Sequence, residues 1–165
     1  MIEAIEKVLH KTPLFAGLTD QETTALAARV SRKGFNRGEQ LFSEGDKCEG
    51  LYLVARGKIR IFKMSSSGRE QILAVERPGN SFAELPVFDG GTYPDSASAL
   101  EDTEVLFIFR KDFQNFCRER PEVALKVIAV VGSRLRRLVG IAAAVVDSKP
   151  LRDRLVRLSS LQPHY

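Results

Sequence analysis

Gly38-Glu39-Gln40-Leu41-Phe42-Ser43-Glu44-Gly45-Asp46 and, a few residues on, Leu51-Tyr52-Leu53-Val54-Ala55-Arg56-Gly57-Lys58-Ile59-Arg60 decide the fold class. Each holds a short apolar run bounded by glycine, the residue that turns a chain with least steric cost. The same texture extends from Val30 to Arg110. Lys58 to Phe62, Gln71 to Val75 and Val105 to Phe109 read as further strands, and Gly38, Gly45, Gly57, Gly68 and Gly79 separate the runs. Ser65-Ser66-Ser67 before Gly68 reads as a hairpin turn. Short strands at regular spacing predict a β-sandwich or barrel.

Helical periods flank this region. Ile2, Ile5, Val8 and Leu9 predict a short amphipathic helix, broken by Pro13-Leu14-Phe15-Ala16-Gly17-Leu18. Thr19 and Glu22 form a capping-box pattern at the start of a second helix through about Arg29. Asp112 to Cys117 predicts another short helix, and Pro121 opens a long one. In that long helix Ala124, Ile128, Val131, Leu135, Leu138, Ala142 and Val145 recur in steps of four and three. A seam sustained over three heptads predicts a partner helix, hence a homodimer with Ile128, Val131, Leu135, Leu138, Ala142 and Val145 at its interface. Gly132 and Gly140 each weaken the helix by about 1 kcal/mol, which packing must offset. Asp147-Ser148-Lys149-Pro150 ends it, with Ser148 or Asp147 able to cap and Pro150 able to open a new helix whose apolar face is Leu151, Leu155 and Leu158. The expected division is residues 1–117, 118–147 and 148–165.

Composition narrows the function. The chain has 165 residues, 44% hydrophobic and 28% charged, ordinary for a globular protein. The start lacks a basic signal-type segment, and the longest apolar run, Ile141 to Val146, is too short to span a bilayer. Cys48 and Cys117, far apart and in no metal-type spacing, read as two reduced thiols in the cytoplasm. Residues 118–157 hold ten Lys/Arg against four Asp/Glu, a charge of +6, which leaves −2 elsewhere. Such a basic third suits nucleic acid nearby and also suits a solvated helix face. Barrel metalloenzymes need several imidazoles and carboxylates converging inside the barrel, and no histidine lies between Val30 and Arg110. No metal site and no catalytic residue is expected, so the chain is read as a non-enzyme.

The two opening stretches resemble the β-roll of Crp/Fnr-type transcription regulators, and the likeness runs from about Leu14 to Leu158. It implies a mainly β fold with flanking helices: a double-stranded β-helix jelly roll of eight strands that binds a small effector, followed by a dimerisation helix. In that family a hinge then leads to a helix-turn-helix that reads DNA. Leu151 to Leu158 resembles only the first helix of that domain, so the recognition helix is expected to be missing. The alternative is a stand-alone domain of the same fold that regulates a protein partner.

The resemblance also places an effector pocket at Phe82, Ala83, Glu84, Leu85, Asp95, Ser96, Ala97 and Leu138. Cyclic-nucleotide members carry Gly-Glu, a helical turn, then Arg, a small polar residue and Ala. Here Glu84, Ser96 and Ala97 match, Ala83 takes the Gly position and Asp95 the Arg position. Arginine suits a phosphodiester because its guanidinium makes charge-assisted hydrogen bonds to the anion. At about 4 Å and an effective dielectric near 20 the unit interaction is about 4 kcal/mol, and aspartate reverses its sign. Apolar Leu138 and Val139 stand near the positions of a polar pair that contacts the base. These departures argue against cyclic AMP and leave the effector unassigned. Asn80-Ser81-Phe82-Ala83-Glu84 resembles nitric-oxide-responsive, haem-linked members, which makes haem the alternative, with His10 the candidate axial ligand folding over the pocket. Two distant cysteines cannot hold an iron–sulfur cluster.

Overall fold

The computed structural model describes residues 2–147, 150, 153, 154, 156 and 157. Ser148 and Lys149, the expected apolar face Leu151, Leu155 and Leu158, and His164 lie outside the described residues. The chain forms two units, one ending at Val127 and the other beginning at Ile128.

The first unit opens with α1 (Ile2–Lys11), a 3₁₀ turn at Pro13–Phe15, and α2 (Asp20–Ala27). Eight strands follow: β1 (Val30–Phe35), β2 (Gln40–Phe42), β3 (Gly50–Arg56), β4 (Ile59–Met64), β5 (Glu70–Glu76), β6 (Ser81–Phe82), β7 (Ser96–Ala99) and β8 (Thr103–Phe109). A short helix α3 (Leu85–Asp89) lies between β6 and β7, and α4 (Arg110–Glu119) and the long α5 (Pro121–Val146) end the described fold. Two four-stranded sheets run in the orders β1-β8-β3-β6 and β2-β7-β4-β5, with every named pairing antiparallel. This is the expected jelly roll. All five strands expected from apolar runs are present, and β1, β6 and β7 are additional. Asp112–Cys117 is the interior of the longer α4, and α2 stops two residues before Arg29.

The core lies between the sheets. Leu51, Leu53, Val54, Ile59, Val105, Phe107 and Ile108 are fully buried. On the helical side Leu9, Phe15, Leu26, Phe113 and Phe116 close it, with Phe15 tilted against Phe113 at 6.1 Å between ring centres. The first turns of α5 join this packing through buried Val123 and Val127.

The capping box expected at α2 is complete: Thr19 Oγ1 accepts from Glu22 N–H at 3.2 Å, and Glu22 Oε1 accepts from Thr19 N–H at 2.9 Å. Lys126 Nζ also donates to Glu22 Oε1 at 2.6 Å, so one buried carboxylate fixes both the start of α2 and the base of α5. The Lys126 hydrogen bond, then that of Thr19, holds the Glu22 carboxyl below its ordinary value of 4.5. A depressed carboxyl stabilises the fold above its unfolded pKa and loses that contribution as pH falls through the folded value. Lys126→Met should therefore destabilise the protein by about 1–3 kcal/mol at neutral pH. In denaturant unfolding the gap to the wild type should narrow below about pH 4; a gap unchanged at pH 3 would assign the loss to packing of the lysine stem.

Candidate functional site

A cavity of about 280 Å³ opens at one side of the β-roll. Phe42 of β2, Ile61 of β4 and Leu73, Ala74 and Glu76 of β5 form one wall. The chain from Ser81 to Pro86 and the segment Tyr93-Pro94-Asp95 form the other. Strand pairing delivers these walls: Tyr52↔Phe82 holds β6 to β3, and Phe62↔Ser96 starts the β4–β7 ladder right after Asp95. The loop ahead of Asp95 is tied down by backbone hydrogen bonds, Tyr93 N–H to Asp46 C=O at 2.9 Å and Gly45 N–H to Tyr93 C=O at 2.8 Å.

The backbone turns sharply into α3. Ala83 has φ +62°, the only positive value outside glycine among the described residues. A side chain there costs about 1–2 kcal/mol, which explains why the motif favours glycine. Ala83 nevertheless keeps the turn, so Pro86 falls in the first turn of α3, where its missing N–H leaves no hydrogen bond unmade. Gly90 ends the helix with φ +80° and an N–H bond to Pro86 C=O at 2.9 Å.

Aromatic rings form much of the interior. Phe42 stacks on Tyr93 at 3.9 Å between ring centres, and Tyr52 stacks on Phe82 at 5.3 Å. Tyr93 Oη donates to Gly50 C=O at 2.9 Å and accepts from Glu49 N–H at 3.2 Å. Burial pushes Tyr52 up to about 12 and raises Tyr93 as well, so both phenols are neutral at physiological pH. Burial also raises the Cys48 and Cys117 thiols, which disfavours the reactive thiolate in both.

Of the residues the sequence assigns to the pocket, the structure brings Phe82, Ala83, Glu84, Leu85 and Asp95 together on the cavity. Ser96 and Ala97 are displaced from it. Both are buried in β7, and Ser96 Oγ accepts from Glu44 N–H at 2.8 Å, so this serine secures the β2–β3 turn rather than facing a ligand. Leu138 belongs to the second unit and is 60% exposed. Glu76, Ser81, Phe42, Ile61, Leu73 and Tyr93 were not assigned from sequence. Alternation along the β4–β5 hairpin carries the only signal for Ile61 and Leu73, and it does not say which neighbour faces the cavity.

Neither implied ligand fits these residues. Haem iron needs an axial donor such as His, Cys, Met or Tyr. Among the described residues the lining has no His, Cys or Met, and its Tyr93 hydroxyl is engaged by Gly50 and Glu49. His10 is not in the lining; its Nε2 lies 3.6 Å from Asp20, so it pairs with the head of α2 instead of folding over the cavity. A cyclic phosphodiester needs a cation, and among the described residues the lining holds Glu76, Glu84 and Asp95 with no Lys, Arg or His.

An eight-stranded roll with a short helix and a left-handed turn at one cavity defines a jelly roll of the cyclic nucleotide-binding type. The sequence profile of the cyclic nucleotide-binding domain matches residues 32–120. The chain belongs to the cyclic nucleotide-binding domain family. It is 39% identical over 125 residues to the cyclic AMP receptor protein of Thermus thermophilus, covering 76% of this chain and 58% of that one. The N-terminal domain of a transcriptional regulator from Streptomyces coelicolor superposes with a TM-score of 0.74 at 37% identity, covering 82% of this chain and 94% of that one. A lysophospholipase of Chaetomium globosum is 30% identical over 146 residues, covering 84% of this chain but 10% of the enzyme. The chain thus spans about 58% of its Thermus relative, and the resemblance to Crp-type regulators holds.

Strain at Ala83 is testable. Ala83→Gly should raise stability by about 0.5–1 kcal/mol, the relief of the left-handed turn less the added freedom of the unfolded chain. Chemical denaturation reads this directly, and a destabilised variant would show that the Ala83 methyl contributes more by packing than it costs in strain.

Proposed function

We propose that this chain is the effector-sensing and dimerising half of a Crp/Fnr-type transcription regulator, working in the cytoplasm without catalysis. DNA contact is assigned to a helix-turn-helix of the longer regulator. The observation that carries the reading is the joining of a family β-roll to an uncovered apolar stripe on α5. Ile128, Leu135 and Leu138 are 63%, 57% and 60% exposed, and Ala142 is exposed beside them. Val131 and Val145 on the same seam are half-buried. Large apolar side chains repeated at heptad spacing stay in water only at a cost, and a second copy of the same helix offers a matching seam. The transcription regulators among its relatives support the same reading. Among the described residues no helix is long and apolar enough to cross a membrane. A stand-alone domain acting on a protein partner is the second reading, and the lysophospholipase match, confined to a tenth of that enzyme, is what favours it.

Sedimentation should give a dimer, and Leu135→Glu with Leu138→Glu should give monomers. Dimers unchanged by the pair of substitutions would remove the seam from the interface. The 165-residue chain alone should bind DNA weakly and without sequence preference, because phosphate contacts position a protein and carry no sequence information. A nanomolar, operator-specific gel shift by this chain would overturn the assignment of DNA reading to a separate element.

Calorimetry should show no cyclic AMP binding below millimolar concentration, and Asp95→Arg should recover part of it by restoring a cation to the cavity. Recovery is expected to be partial, since Ser96 is committed to Glu44 and Pro86 occupies the turn. Tight binding by the unaltered chain would overturn the charge reading of the pocket.

A further inference from the structure

We infer that the cavity selects a small cationic ligand with an aromatic or apolar body, and that Asp95 is the residue that recognises the charge. The inference rests on the reading of this cavity as the effector pocket. Three observations carry it. Asp95 lines the cavity half-buried, and among the described residues it has no hydrogen-bond or ion-pair partner. Glu76 and Glu84, by contrast, already engage other groups, Glu76 through Asn80 Nδ2 at 2.9 Å. The Asp95 carboxylate is therefore the charge left for a ligand to answer. Among the described residues no cationic side chain lines the cavity, so the answering charge is expected from a ligand.

The second observation is Ser81. It lies in the cavity wall at 8% exposure, and among the described residues its Oγ has no hydrogen-bond partner. An unmade hydrogen bond on a buried hydroxyl costs about 1–3 kcal/mol, a cost that a ligand's polar atom would offset if a small adjustment of the wall let it reach the oxygen. The third is the aromatic lining. Phe42, Phe82 and Tyr93 present ring systems to the cavity, and ring faces attract cations as well as apolar bodies. A volume of about 280 Å³ sits near the lower end of small-molecule pockets, enough for one fused ring system and a short arm.

An anionic phosphodiester meets this arrangement with the wrong sign. An ammonium or guanidinium group meets it with a charge-assisted bond to Asp95, in a cavity that aromatic residues help to line. A neutral body alone would gain the apolar contacts and leave the carboxylate unanswered. Discrimination by charge, at constant shape, is thus the property the cavity is built to show.

Three probes of one shape test this: tryptamine, protonated at neutral pH, tryptophol, which is neutral, and indole-3-propionate, which is an anion. Titrated calorimetrically against the full 165-residue chain, tryptamine should bind at least about tenfold more tightly than tryptophol, with the propionate weakest. Asp95→Asn, nearly the same size, should remove most of that preference while changing tryptophol affinity less than about threefold. Thermal unfolding of the variant checks that it is folded. Equal binding of the three probes, tighter binding of the anion, or no binding of tryptamine at about 1 mM would overturn the inference. So would a preference for tryptamine that survives in Asp95→Asn. The sedimentation test of the α5 seam is independent of these titrations. A monomeric protein that still ranks the probes by charge would refute the dimerising regulator and leave the ligand class standing.

Discussion

The antiparallel ladder between β3 and β8 brings residues some fifty positions apart into register, Leu51↔Ile108, Leu53↔Leu106 and Val54↔Val105. Its side chains are almost wholly removed from water, which offsets the entropy of closing so long a loop. One residue permits the approach. A Cβ on Gly50 would lie 2.2 Å from the Ile108 carbonyl oxygen and 2.6 Å from the Phe107 ring, so no side chain fits there. Other elements hang on this pair. β1 extends the sheet beyond β8, β6 adds to the free side of β3, and Arg110 N–H bonds to Glu49 C=O where α4 begins. The same Gly50 carbonyl accepts from Tyr93, so the ladder also holds one wall of the cavity.

How much of this was legible follows from where apolar area sits. Leu51-Tyr52-Leu53-Val54 and Val105 to Phe109 are dense in large apolar side chains, and they are strands for that reason. β7 is the opposite case. Ser96-Ala97-Ser98-Ala99 is buried throughout, yet its composition resembles a loop. Its hydroxyls are satisfied from outside the strand, Ser96 by Glu44 N–H and Ser98 by Arg60 Nε at 2.7 Å, and sequence spacing does not reveal such partners. β6 has two residues, too few for any alternation to show. The capping box, by contrast, is local chemistry four residues long and reads directly.

The site divides along the same line. Phe82 to Leu85 and Asp95 belong to one local motif, and the structure brings these residues together on one cavity. The opposite wall comes from β2, β4 and β5, and only the pairing of distant strands selects which side chains face inward. Ser96 shows the limit of motif transfer. Its identity matches the motif, but its hydroxyl is spent on the neighbouring turn.

Shape and charge are held by different residues at this cavity. The turn at Ala83, the Pro86-containing helix and the register of β7 are set by backbone hydrogen bonds and burial, none of which involves Asp95. A side chain with no partner among the described residues contributes little to folding, so its charge can be exchanged at small cost in stability. A buried ion pair would lack that freedom, because removing one member strands the other charge away from water. Glu22 comes nearest to that case, a buried carboxylate bonded to the partly exposed Lys126 at the base of α5, where its loss would leave a charge stranded in the packing. Asp95 stands at the cavity, where a change of sign would reverse the charge that the wall presents without touching the groups that set its shape.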